Sequence, residues 1–380
     1  MKILVISHTY IAPINRKKWK VLTHLYNDIQ LTVIFPKKWP GKLFTHETKD
    51  LLHEQTDTCT FIALDTYNAG NETVYSYHIR QLFSVIKTVR PAIIHVEQGD
   101  NALSYFQAII CAKLLRLPTK FLFFTWINWR PVFSLKYRLL WTPITTFNIK
   151  NSDGALTGNK HAQNLLQEKK LKKNMLVLPQ LGVDLTLFTP RKNTVHKRTI
   201  VYLGRLVEEK GIFLLLQAFT ELADYFPDWY LKFVGSGPCE RDLIDEIKKY
   251  SCNNRITHEK TIAHEAIPEL LQESDILVLP SYDTPAWKEQ FGHVLIEAMA
   301  CEVAVVASNA GEIADVVADA GLIFEQKNKD RLLAQLKALM QDDTLREAYG
   351  KKGRERVEKH YSHEAIAAQT YNYWKYLLAS

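Results

Sequence analysis

Short, almost wholly apolar runs alternate with longer amphipathic stretches along this chain, and the alternation occurs twice. In the first half, KILVIS (2–7), LTVIFP (31–36), AIIHV (92–96), KFLFFT (120–125) and GALTG (154–158) read as strands buried on both faces. VYSYHIRQLFSVIKTV (74–89) has helical spacing and reads as a helix between two of them. Apolar strands separated by helices dictate a parallel sheet, because the crossover helices cover both of its faces. The pattern restarts with TIVYLG (199–204), YLKFVG (230–235), RITHE (255–259), DILVLP (275–280) and AVVAS (304–308). The intervening LGVDLTLFTPRKNTVHKR (181–198), with Pro190 and a run of basic residues, is the expected linker. Helices over 330–342 and 362–379 close the chain. Two doubly wound α/β domains in tandem follow, with a ligand cleft at the carboxyl ends of the strands.

A chain of 380 residues exceeds the usual single core, and 47% hydrophobic with 23% charged residues excludes a disordered polymer. The five cysteines, Cys59, Cys111, Cys239, Cys252 and Cys301, form no C-x-x-C pair. That pattern points to free thiols in a reducing compartment and away from a zinc site. MKILVISHTY lacks the apolar core of a signal peptide, and no apolar run approaches the ~18 residues of a spanning helix. The expected location is cytoplasmic.

The net charge of +7 is modest, but NRKKWK (15–20) and PKKWPGK (36–42) mix basic and aromatic residues. FLFFTWINWRPVFSLKYRLLW (121–141) is densely apolar and aromatic. Solvated lysines with a buried strand and helix account for these stretches. Peripheral membrane contact on the cytoplasmic face is the second reading. Nucleic acid is not expected as a partner, since no recognised motif accompanies the basic clusters.

Candidate site residues concentrate in the second half. YLGRLVEEKG places Arg205 and Lys210 just past a strand, where two cations suit a diphosphate, although a solvated basic loop explains them equally. VGSGPCERDL follows the next strand, and Gly235 and Gly237 permit a tight turn and close approach to a ligand. In KEQFGHVLIEAMA, Glu289 stands in a loop after a strand and a helix begins near Gly292. The leading amides, from Phe291 through His293 to Val294, would face an anion. Val294, Leu295, Ala298 and Met299 make the apolar face, with Glu297 on the flank, where a carboxylate can accept hydrogen bonds from a vicinal diol. His8, His95 and His161 could each lie near the cleft, though a lone histidine is more often structural.

These motifs, LGVD, GRLVEEKG, VGSGP, VLPS and EQFGHVLIE in that order from about Leu181 to Ala300, resemble the retaining family 4 nucleotide-sugar glycosyltransferases. The resemblance implies the GT-B fold: two Rossmann-like domains facing a central cleft. It implies an acceptor-side domain over 1–190, completed by the C-terminal helix 362–380, and a nucleotide-sugar domain over 195–360. It implies a hexosyltransferase-type enzyme moving a sugar from a UDP-, GDP- or ADP-sugar to a saccharide or lipid-linked saccharide, in cell-surface polysaccharide or glycolipid synthesis. Arg205 and Lys210 would neutralise the leaving diphosphate and Glu289 would orient the donor sugar. Glu297 would hold the ribose, and the amides of Phe291, Gly292 and His293 would complete the phosphate site. Gly237, Thr261 and Ile262 would line the donor site, the last two with Lys260 near the base. No cofactor and no metal are implied, in keeping with the lack of a D-x-D motif. A monomer or weak dimer is expected.

The first domain departs from the family pattern. Where the family has a glycine-rich loop, this chain reads SHTYIAPINR, with His8 and Asn15 and no glycine. Where the family often has a histidine, IIHVEQG runs on to Glu97, and FFTWINW offers Trp126 and Asn128. These five are the acceptor-side candidates. A non-catalytic nucleotide-sugar sensor or scaffold, and an epimerase of the same fold, are the alternatives.

Overall fold

The computed structural model of the protein describes residues 1–40, 53–56, 58–129, 135–169, 171, 173–191 and 197–380. It divides into two units, Met1–Gly182 with His363–Ser380, and Val183–Ser362. In the first unit the elements are β1 (Lys2–Ile6), α1 (Lys17–Leu25), β2 (Gln30–Pro36), β3 (His53–Gln55), β4 (Cys59–Leu64), β5 (Thr66–Tyr67), β6 (Ser76–Tyr77) and α2 (Ile79–Val89). They continue as β7 (Ile93–Val96), α3 (Leu103–Leu114), β8 (Lys120–Thr125), α4 (Leu135–Asn151), β9 (Gly154–Thr157), α5 (Lys160–Glu168) and β10 (Asn174–Val177). The second unit holds β11 (Arg198–Leu203), α6 (Ile212–Leu222), β12 (Trp229–Val234), α7 (Glu240–Ile247), β13 (Ile256–Glu259), α8 (Ile267–Gln272) and β14 (Ile276–Leu279). After these come α9 (His293–Ala300), β15 (Ala304–Ser308), α10 (Ile313–Val317), β16 (Leu322–Phe324), α11 (Lys329–Gln341) and α12 (Asp343–His360). The last helix, α13 (His363–Ala379), returns to the first unit.

Both sheets are doubly wound, as the strand–helix alternation requires. The first runs β10-β9-β8-β7-β1-β2-β4-β3, parallel except for β3 at its edge. The second runs β13-β12-β11-β14-β15-β16, parallel throughout. Alternate residues of a strand face opposite sides, and β1 shows why both sides are covered. Ile3 and Val5 join a core with Trp19, Leu22 and Trp374, while Leu4 and Ile6 join another with Leu82, Ile86 and Ala108. The expected helix over 74–89 is shorter. Tyr75 and Tyr77 are wholly buried, and the Tyr77 amide donates to the Gln107 side chain, so the segment becomes β6 before α2 starts.

The boundary also falls earlier than residue 190. Val183 bridges to Ser362 and the Phe188 carbonyl accepts from Arg354 at 2.7 Å, so 183–190 belong to the second unit. The final helix packs in the first unit. Trp374 stacks on Trp19 at 5.6 Å and Tyr371 on Tyr26 at 3.8 Å.

Half of the NRKKWK stretch is turned inward. Arg16 and Lys18 are buried with Trp19. Arg16 donates to the Tyr10 carbonyl at 2.8 Å and to Glu54 at 3.1 Å, with Phe35 beneath it. Lys18 donates to Glu97 Oε1 and to the Gln180 carbonyl, both at 2.7 Å. Two of the six residues of this stretch, Lys17 and Lys20, are exposed. Of PKKWPGK, residues 41 and 42 lie outside the described residues, as do 130–134 of the aromatic 121–141 stretch. Among the described residues no helix is long and apolar enough to cross a membrane.

A buried ion pair that loses one partner leaves an uncompensated charge. We expect Lys18→Met to cost about 3–5 kcal/mol in urea denaturation, with part recovered in the Lys18→Met/Glu97→Gln double variant. His95 adds a pH signature. Burial, against the weaker pull of Glu97, lowers its imidazole from 6.5 to about 4. The unfolded chain therefore takes the proton first as pH falls, and stability drops from about pH 6.5 toward pH 4. His95→Gln should flatten that part of the acid limb, measured as Tm against pH.

Candidate functional site

Between β11 and β14 the order of the second sheet reverses, and ligands of open α/β sheets bind at the carboxyl ends of strands at such a point. Both loops that leave these strand ends carry charge. Past β11, Gly211 takes a left-handed conformation (φ +69°), and a Cβ on it would lie 2.1 Å from the Pro280 carbonyl oxygen at the end of β14. Glycine alone lets the turn that carries Lys210 lie against β14. The Tyr282 amide, donating to the Glu209 carbonyl at 2.8 Å, ties the two loops together.

This apposition delivers Lys210 Nζ to Glu289 Oε2 at 2.5 Å. Ser281 Oγ, wholly buried, donates to the same oxygen at 3.3 Å. The Trp287 ring lies 4.9 Å from the ammonium. On the other side Glu289 is fixed by its main chain. Its carbonyl accepts from the Glu312 amide at 3.1 Å, and Gly311 (φ +50°) lies so close that a Cβ would stand 2.0 Å from that oxygen. The Gly311 amide donates to Asp283 Oδ1 at 2.9 Å. This Asn309–Glu312 turn was not singled out in the sequence, where its signal is a Gly-Glu step just past a strand.

α9 starts after Gly292, which is left-handed at φ +80°. Helix geometry leaves the leading amides of such a turn without intrahelical acceptors. Leu295, Ile296, Ala298 and Met299 are buried, while Val294, expected on the apolar face, is half-buried beside Glu297. Phe291 is buried and packs on His293 and Tyr361. Glu297 Oε1 lies 3.2 Å from Nε2 of His264, a residue that no motif of the sequence marks. That hydrogen bond to Glu297, stronger than the opposing effect of burial, raises the His264 imidazole above its ordinary value.

Arg205, the other predicted cation, is exposed. Its carbonyl accepts from the Tyr202 hydroxyl at 2.6 Å, and its guanidinium makes no hydrogen bond or ion pair among the described residues. Gly237 has a packing reason of its own, since a Cβ there would lie 2.2 Å from the Leu206 carbonyl oxygen. The Thr261 amide donates to Ser236 Oγ at 3.3 Å, which places Thr261 and the half-buried Ile262 beside the β12 loop. The structure thus joins Lys210 with Glu289 directly and arrays Arg205, Gly237 and the α9 start on neighbouring strand-end loops.

The first-unit candidates belong to a separate network. Glu97 is 3% exposed and both carboxylate oxygens are occupied: Lys18 on one, Tyr10 and Gln180 on the other. Burial alone would push its carboxyl up, but Lys18, His95 and the hydrogen bonds hold it below its ordinary value. It ties the end of β7 to α1 and to Gln180. Gln180 also accepts from Trp126 Nε1 at 3.2 Å and donates to Thr9 at 3.2 Å. Asn15 donates to the Thr9 carbonyl at 2.9 Å, and Asn128 is buried. His8 stacks on Trp39 at 4.5 Å, with Gln98 2.7 Å from its Nδ1. His95 is interior and neither ring nitrogen hydrogen-bonds among the described residues, whereas His161 is exposed. Among the described residues no group of three or more His, Cys, Asp or Glu side chains gathers that could hold a metal ion.

Residues 187–356 match the family described as Glycosyl transferases group 1, a span containing Arg205, Lys210, Glu289 and Glu297. The family match thus falls on the second unit. Among curated relatives, sulfoquinovosyl transferase SQD2 of Arabidopsis thaliana is 26% identical over 302 residues, 74% of this chain and 56% of that protein. Phosphatidyl-myo-inositol mannosyltransferase of Mycolicibacterium smegmatis is 32% identical over 199 residues, 50% of this chain and 48% of that protein. The chain thus spans about half the length of the curated relatives it matches. Sucrose-phosphate synthase from Thermosynechococcus elongatus has a TM-score of 0.71 at 20% identity, covering 100% of this chain and 99% of that one. Anabaena Alr3699/HepE in complex with UDP has a TM-score of 0.72 at 16% identity, covering 99% and 100%. The fold of this chain is accordingly GT-B.

The His264–Glu297 contact gives the site a pH dependence. A histidine whose folded pKa is raised contributes stability that is complete below its unfolded value of 6.5 and is lost as pH rises through the folded one. The Tm difference between wild type and His264→Gln should be largest below pH 6.5 and shrink above it.

Proposed function

We propose that this chain is a retaining glycosyltransferase that moves a hexosyl unit from a UDP-, GDP- or ADP-sugar to a hydroxyl of a saccharide or lipid-linked saccharide. The synthesis of cell-surface polysaccharide or glycolipid is the setting. The observation that carries this is the pairing of Lys210 with Glu289, at 2.5 Å, across the reversal point of the second sheet. A cation and an acid held there, with α9 opening beside them, match the needs of a sugar diphosphate. The relatives' names, a sulfoquinovosyl transferase and a mannosyltransferase among them, support the same reading.

The chemistry follows from charge. As the bond from the anomeric carbon to the diphosphate oxygen breaks, positive charge grows on the sugar and negative charge on the leaving group. Arg205, Lys210 and the first-turn amides of α9 stabilise the departing diphosphate. Glu289 orients the sugar and Glu297 accepts hydrogen bonds from the ribose diol. The acceptor oxygen bonds the anomeric carbon on the face the diphosphate leaves, and its proton passes to a leaving phosphate oxygen. No separate base is then needed. Arg205 and Lys210 supply the countercharge, and this reading assigns no metal.

A panel of UDP-, GDP- and ADP-sugars scored for thermal stabilisation and slow hydrolysis tests the reading. One donor class should stabilise the wild type and be hydrolysed, with turnover unaffected by EDTA. Arg205→Ala and Glu289→Ala should each lose about 10²–10³-fold in turnover. Binding without turnover on any acceptor would make the chain a sensor, and an inverted anomeric product would refute retention.

A further inference from the structure

We propose that Trp287 is a positioning residue of the donor site, with its indole face fixing the place and the surroundings of the Lys210 ammonium. This rests on the donor reading above. Three observations carry it. Lys210 Nζ stands 4.9 Å from the ring centroid, within the range over which the ring's negative face attracts a cation. The half-buried Trp287 sits on a closed four-residue turn. In that turn the Thr284 amide donates to the Trp287 carbonyl at 2.9 Å and the Trp287 amide to the Thr284 carbonyl at 3.3 Å. Two residues further on, Glu289 takes the same ammonium from another direction.

The turn and the acid therefore form one short clip around one cation. An ammonium has three donor hydrogens and a tight hydration shell. Glu289 accepts one hydrogen. The indole replaces water over a second sector without accepting a directional hydrogen bond. What remains of the ammonium is presented, partly dehydrated, to a diphosphate oxygen. A lysine on a flexible stem would otherwise lose side-chain freedom and water when the donor arrives. Trp287 spares the bound state part of both costs, so its contribution falls on affinity for the diphosphate and on the step in which negative charge grows there. A tryptophan that only packed would contribute through area, and any apolar side chain of similar size would serve.

The full chain is compared as wild type, Trp287→Phe, Trp287→Leu and Trp287→Ala, with UDP, GDP and ADP as probes in calorimetric titration and with donor hydrolysis as the rate. For whichever nucleotide the wild type binds, we expect Ala and Leu to weaken it about 3- to 30-fold and Phe, which keeps an aromatic face, to stay near wild type. The hydrolysis rate should order Trp, Phe, then Leu with Ala. Leu restoring binding as well as Phe, or Ala binding as tightly as wild type, overturns the proposal. If the wild type binds none of the three nucleotides, the functional reading fails and this proposal fails with it. Nucleotide binding that is unchanged across all four proteins overturns this proposal alone. Equal melting temperatures for Phe and Leu variants separate these outcomes from loss of fold.

Discussion

A strand that is apolar on both faces must be covered on both faces, and in this chain that demand shapes everything else. Right-handed crossovers can cover both sides of a parallel sheet only if the chain reverses direction across the sheet once. The reversal leaves two neighbouring strand ends whose loops run apart. In the second unit these ends belong to β11 and β14, and the loops that part there hold Lys210 and Glu289. The charges sit where they do because the hydrophobic layers have to close elsewhere. Their stability as a pair is subordinate to this, since an ion pair at a partly exposed place contributes little by itself.

What turns a reversal point into a defined site is backbone contact rather than side-chain packing. The Lys210 turn lies on the Pro280 carbonyl and the Asn309–Glu312 turn lies on the Glu289 carbonyl, each at a glycine where no Cβ can fit. Main-chain hydrogen bonds, from the Tyr282 amide to the Glu209 carbonyl and from the Glu312 amide to the Glu289 carbonyl, lock these approaches. Main chain held against main chain has few alternative arrangements, which suits the donor site proposed above. The acids and cations are then added to a frame that is already rigid.

Much of this was readable because strands and E-x7-E spacing are local properties. The ten apolar runs singled out as strands all appear in the two sheets. The misses are those whose cause lies far along the chain. CTFIAL and LIF are strands because β2 and β15 offer them edges. α12 escaped because its buried residues are Gly350, Gly353 and Val357, too few to print a period on so polar a segment. Lys18, on α1, looks like a surface lysine until Glu97, just past β7, is brought to 2.7 Å from it. His264 becomes part of the site only through Glu297 on α9. A sequence shows composition and spacing, but which charges meet is decided by topology.

The return of α13 to the first unit has a consequence for how the chain is made. Trp19, placed early in the sequence, waits for Trp374 to cover it, and every residue of the second unit is synthesised in between. On the ribosome the second unit can therefore reach its native form while the first still shows an open aromatic flank. Only the synthesis of α13 seals that flank. Damage to α13 should thus be felt first by the unit that was begun before it.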